Sequence, residues 1–138
     1  MKTLSIFLLG TFMVVCALAQ ENQEENQPGP KITFEEESRD FGDIYQGDKI
    51  QHTYVFENTG DEPLILTNVQ TTCGCTVPQW PRDPIAPGQQ GKLEVVFNSS
   101  GKIGRQNKVI TVISNAVNST ERITLITNVL PKKKESEQ

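Results

Sequence analysis

From about residue 31 to residue 130, apolar side chains recur at every second position. Ile50, Tyr54 and Phe56 share one phase with His52, Leu93 shares one with Val95 and Phe97, and Ile123, Leu125 and Val129 share another. Successive side chains point to opposite faces only in an extended strand, so this period predicts half-buried β-strands. No stretch of this region carries a convincing helical period. Ile32 and Phe34 open a first strand, and Leu64 to Val69 and Val109 to Ile113 supply others. The last is almost wholly apolar, which predicts a strand covered on both faces. Asp40-Phe41-Gly42, Gly47-Asp48, Asn58-Thr59-Gly60-Asp61, Gly101 with Gly104, and Asn115 to Thr120 break the chain between strands. Six or seven short strands at this spacing predict an all-β sandwich. Its expected core is Phe34, Phe41, Tyr54, Phe56, Leu64, Leu66, Leu93, Val95, Phe97, Ile110, Val112, Ile123 and Leu125.

The ends read differently. Lys2, the apolar run Leu4 to Val15 and the small-x-small triplet Ala17-Leu18-Ala19 form a secretory signal, with Met1 to Ala19 removed. The run is too short to span a bilayer comfortably, so no transmembrane segment is expected in the mature chain. A lipoprotein anchored through Cys16 is the lesser alternative, because Val15 stands where a small residue is preferred. Gln20 to Pro30 is polar and acidic and predicts a disordered leader. The folded domain is expected over 31–130, with a flexible tail at 131–138. The net charge is −4, and the short run Lys132 to Lys134 is followed at once by acids. Nucleic acid is therefore not an expected partner.

Of three cysteines, Cys16 lies in the signal. The mature chain would keep only Cys73-Gly74-Cys75, which excludes a disulfide framework. Three options remain: a tight local disulfide, a soft-metal ligand pair, or two buried thiols. In a regular strand residues two apart have Cα atoms about 6.5 Å apart, and a disulfide prefers about 5.5–6 Å. Bridging therefore needs a bend, which Gly74 can provide through positive φ. The closed loop is very short, so little stability follows from chain entropy. Two thiolates also suit copper(I) or zinc, with His52 the sole histidine to add a nitrogen. His52 otherwise reads as a hydrogen-bonded core residue.

Pro78, Pro81, Pro84 and Pro87 follow at a spacing of three. That matches the polyproline II period, and prolines bar the segment from a central strand. Pro87-Gly88 suits the middle of a type II turn. Trp80 either anchors a partner or caps one end of the sandwich, and Pro78, Pro81 and Pro84 beside it are candidate contacts. Glu35-Glu36-Glu37 reads as an exposed strand edge.

Taken in order, Asp40-Phe41-Gly42, His52-Thr53-Tyr54 with Phe56, Asn58-Thr59-Gly60, Cys73-Gly74-Cys75-Thr76, Trp80-Pro81, Ile85-Ala86-Pro87-Gly88 and Ser114-Asn115 form an ordered set. It resembles that of a bacterial family catalogued as domain of unknown function 1573. The resemblance covers about Ile32 to Val129. It implies export and an immunoglobulin-like sandwich of about seven strands, related to sperm-protein and cilia-associated β-domains, and no settled activity. Thr127 departs from the pattern, standing where the resemblance leads one to expect glycine.

No nucleophile elbow or placed carboxylate pair accompanies His52, so no catalytic set is complete. The expected function is a noncatalytic binding or scaffold module of the periplasm or cell surface, with an envelope protein as partner. The alternative is thiol–disulfide exchange or soft-metal handling at Cys73 and Cys75.

Overall fold

The structure is a computed structural model that describes residues 27–134. The expected signal, Cys16, most of the leader and the last four residues lie outside the described residues. Eight strands follow in chain order: β1 (Ile32–Phe34), β2 (Ser38–Tyr45), β3 (Lys49–Asn58), β4 (Leu66–Thr71), β5 (Thr76–Gln79), β6 (Gln90–Asn98), β7 (Gly104–Ser114) and β8 (Thr120–Leu130). They form two four-stranded sheets, β1-β3-β6-β5 and β2-β8-β7-β4. All neighbours run antiparallel except β2 and β8, which are parallel from Ser38 opposite Thr124 to Tyr45 opposite Leu130.

Eight strands stand against the seven or so expected, and β2 and β5 are the two without a sequence signal. β2 is an edge strand whose pairing slips between Asp40 and Asp43, and most of its side chains face solvent. With so few buried positions it shows no alternation. β5 contains Pro78, opposite Val95 on β6. Proline is tolerated there because β5 is an edge. The extended connector therefore begins inside a strand.

One apolar core lies between the sheets. Tyr54, Phe56, Leu64, Leu66, Leu93, Val95, Phe97, Ile110, Val112, Ile123 and Leu125 are buried as expected, and Ile32, Ile50, Val69, Ile85, Ala116 and Val129 join them. Phe34 and Phe41 are only half-buried and pack on the core's margin. Of the apolar residues on β7 only Ile110 and Val112 are buried, while Val109 and Ile113 are half-buried. A two-sheet sandwich has one covered face per sheet, so this apolar strand is not enclosed on both sides.

Loops at one end are tied by buried amides. Asn58 is fully buried, and its Nδ2 donates to Glu62 O (2.7 Å) and Ile85 O (2.9 Å). Its Oδ1 accepts from Gly60 N at 3.0 Å. Asn118 bridges both main-chain groups of Ile32. Gly29 and Pro30, read as leader, are buried. Gly29 N donates to Asp61 Oδ1 (2.7 Å), and Pro30 O accepts from Val117 N (2.8 Å). Gln89 N donates to Ala86 O with Gly88 at φ 78°, the expected type II turn. Thr127, the departure from the family pattern, is buried, and its hydroxyl donates to Gly42 O (2.8 Å) across the irregular part of β2.

Candidate functional site

The cysteine pair occupies the turn where the chain leaves β4 in one sheet and enters β5 in the other. Main-chain hydrogen bonds hold this turn. Thr76 N donates to Cys73 O (3.3 Å), and Asn98 N donates to Cys75 O (2.9 Å). The Thr71 hydroxyl lies 3.0 Å from Cys73 O and 3.2 Å from Thr76 O, and donates into the turn between them. The turn brings the Cα atoms of Cys73 and Cys75 to 5.3 Å and their sulfurs into a close pair. That is shorter than a regular strand allows, so the expected bend is present. Gly74 does not make it through positive φ. A Cβ at Gly74 would meet nothing within 4 Å. Its missing side chain leaves the turn open to solvent.

Both cysteines are partly exposed. Cys75 lines a groove of about 300 Å³ together with Lys49, Gly74, Val77, Val96, Asn98 and Ser100. The groove runs over the outer face of the β1-β3-β6-β5 sheet. Val77 on its floor is 53 % exposed, and Ile103, in the β6–β7 turn at the same end, is 55 % exposed. The hydroxyl of Thr76, a residue only 2 % exposed, lies 3.9 Å from each sulfur. Lys102 and Lys108 add positive charge towards this end. Burial, and then the neighbouring Lys102, pushes the Lys108 amine below its ordinary value.

His52 is elsewhere. It faces inward on β3 opposite Val95, whereas Cys75 lies beside Asn98, whose partner is Lys49. Three residues along β3 and two strand spacings across the sheet put them about 14 Å apart. Among the described residues no group of three or more His, Cys, Asp and Glu can hold a metal ion. Within one chain, the copper or zinc set of Cys73, Cys75 and His52 is therefore not assembled.

Instead, His52 Nε2 hydrogen-bonds Glu36 Oε1. The ring stands edge-on to Tyr54 (centroids 4.7 Å apart) and to Phe41 (5.4 Å). Glu36 thus turns inward from a segment read as an exposed edge. β1 ends before it can cover this stretch of β3, and Glu36 and Phe41 fill the flank. Burial first, and Glu36 second, push the Tyr54 phenol up to about 12. Its hydroxyl donates to Thr124 O (3.0 Å) and links the two sheets.

Trp80 is half-buried against the core and carries the Arg82 guanidinium 3.9 Å above its ring. That is the geometry of a cap. Its indole Nε1 is buried with no protein partner. Pro78 and Pro81 are half-buried and Pro84 is exposed. The groove beside Cys75 is the surface that sequence reasoning missed. Its sequence traces are Val77, an apolar residue out of phase with buried Thr76, and Val96, out of phase with buried Val95 and Phe97.

Two four-stranded sheets around one core, with no helix among the described residues, make this an immunoglobulin-like β-sandwich. The ASH/PapD-like domain 7 of human CEP192 superposes with a TM-score of 0.62 at 13 % identity, covering 96 % of this chain and 100 % of that one. The YadV chaperone superposes with a TM-score of 0.51 at 13 % identity over 77 % of this chain and 54 % of that one. A Porphyromonas gingivalis protein of unknown function gives a TM-score of 0.63 at 20 % identity. That match covers 72 % of this chain and 46 % of the other, so the chain spans about half of that protein's length. Identities this low convey the fold alone. The chain belongs to the family described as "Protein of unknown function (DUF1573)", whose sequence profile matches residues 32–129. No curated protein matches the sequence. Among the described residues no helix is long and apolar enough to cross a membrane.

Proposed function

We propose that this chain is an exported, noncatalytic binding or scaffold module of the bacterial cell envelope, and that its partner is another envelope or cell-surface protein. The observation that carries this reading is the groove on the outer sheet face. It sets an exposed Val77 beside Val96, with Lys49, Asn98 and Ser100 as a polar rim. An apolar floor with a polar rim is the anatomy of a protein contact. Val77 belongs to β5, the open edge of this sheet. Export rests on the signal character of Met1 to Ala19.

The test places a photocrosslinking amino acid at Val77, and separately at Arg122 on the outside of the opposite sheet, in the native cells. Cross-links from position 77 to a discrete envelope protein, absent from position 122, are expected. Equal patterns from both positions, or a chain retained in the cytoplasmic fraction, refute the proposal.

A further inference from the structure

We propose that Cys73 and Cys75 form an exchangeable disulfide that oxidises a pair of thiols on an extended polypeptide, with Cys75 as the sulfur attacked. This rests on the groove reading above and adds a covalent step to it.

The turn does not need the sulfur–sulfur bond to keep its shape. Thr76 N and the Thr71 hydroxyl hold Cys73 O, and Asn98 N holds Cys75 O. A bond closing so short a loop adds little through chain entropy. It can therefore open and close without unfolding anything. Access is one-sided: Cys75 forms part of the groove wall beside exposed Val77, and Gly74 leaves the approach clear. Cys73 does not line the groove, so it is the leaving sulfur.

The partner's thiolate donates an electron pair to Cys75 Sγ. The Cys73–Cys75 bond breaks, and its electrons leave on Cys73 Sγ. Thr76 Oγ1, 3.9 Å from both sulfurs, is the buried donor placed to bond that thiolate before it takes a proton from water. Lys49 in the groove favours the incoming partner thiolate electrostatically. The partner's second thiolate then attacks its own mixed-disulfide sulfur and expels Cys75. The partner loses two electrons and gains a disulfide, and the pair ends as two thiols. A low-molecular-weight disulfide of the glutathione class resets it. Thr76 is a positioning residue in this scheme.

The experiment uses purified protein oxidised with glutathione disulfide. It is mixed with an extended peptide carrying two cysteines flanked by valines, or with reduced glutathione, then acid-quenched, alkylated and mapped by mass. The adduct is expected on Cys75, forming faster with the peptide than with glutathione. In Cys73→Ser, Cys75 should take up a glutathionyl group about tenfold faster than Cys73 does in Cys75→Ser. Thr76→Val keeps the side-chain shape and the main-chain bonds. It should slow exchange about tenfold, the effect of one hydrogen bond to a charged group, and in the Cys75→Ser background it should move the pH midpoint of Cys73 glutathionylation upward. An adduct on Cys73, no adduct, or an unaltered pH profile in Thr76→Val overturns the exchange. Equal rates for peptide and glutathione, with the adduct on Cys75, overturn the polypeptide substrate and the groove reading with it.

Discussion

Replacing Asn58 by aspartate changes one atom in the most heavily bonded buried side chain of the loop end. The amide group donates to Glu62 O and Ile85 O, so it holds the β3–β4 turn and the proline connector at once. Aspartate keeps the acceptor for Gly60 N and removes both donors. The new carboxylate oxygen then faces Ile85 O, which keeps only its bond from Leu64 N, and Glu62 O, which lies at an exposed residue and loses this donor. The one buried group left without a donor is that carboxylate oxygen, and such a group costs about 1–3 kcal/mol. A domain of this size has roughly 5–15 kcal/mol to lose. The pH dependence gives the reasoning a second edge. Burial without donors raises the folded pKa of the new carboxyl above its unfolded value of about 3.9. The neutral acid can donate one hydrogen bond, so the penalty is smallest below about pH 4. It grows as pH rises towards the folded pKa, and is constant above it. Urea unfolding followed through the single tryptophan, Trp80, reports both quantities in wild type and Asn58→Asp. A loss under about 1 kcal/mol at pH 7 would refute the argument, because even one unpaired buried polar group costs that much. So would a loss that is the same at pH 3.5 and pH 7.

Tyr54 titrates from 10.0 in the unfolded chain to about 12 in the fold, so the unfolded state releases its proton first. Stability should be fully present below pH 10 and fall by about 2 kcal/mol as pH rises to 12; Tyr54→Phe should flatten that fall in urea titrations across the range, and an unchanged slope would exclude Tyr54 as its source. A Cβ at Gly60 would press on main-chain atoms of Gly29, Pro30 and Lys31, with Pro30 C at 2.7 Å. Gly60→Ala should therefore lower stability by about 1–3 kcal/mol and speed proteolysis near Lys31, and a wild-type melting curve would contradict the packing. Asn98 N bonds Cys75 O, so the main chain of Pro78 points away from β6 to the open edge. Pro78→Val would place an N–H there, and should make the chain self-associate with rising concentration on gel filtration; a monomeric profile throughout counts against this role for the proline.

Strands that face the core on one side were legible in the sequence. The phase of Ile50, Tyr54 and Phe56 on β3 and of Leu93, Val95 and Phe97 on β6 follows directly from burial at every second residue. β2 left no such trace because main-chain pairing with β8, rather than side-chain burial, holds it in place. Asn58-Thr59-Gly60 read only as a turn. The bonds that make Asn58 central come from residues 27 positions away as well as from neighbours, and no local pattern encodes them. Likewise Glu36 looked like one of three exposed acids, because nothing nearby in sequence shows that β1 stops short of His52. The cysteine pair was visible as chemistry. The groove beside it was not, since it depends on β3, β5 and β6 coming together.

The parallel pairing of β2 with β8 also sets an order of assembly. β2 is made early and has a single sheet neighbour, which is the final strand of the fold. Until Thr120 to Leu130 has been synthesised, β2 has no ladder to join and β7 lacks one of its two flanks. The second sheet therefore cannot grow strand by strand behind the ribosome. Its oldest strand waits for its youngest, and loop closure over most of the domain must precede the contacts that reward it. A chain wired in this way can finish its first sheet early, but it cannot close the sandwich until its last strand has arrived.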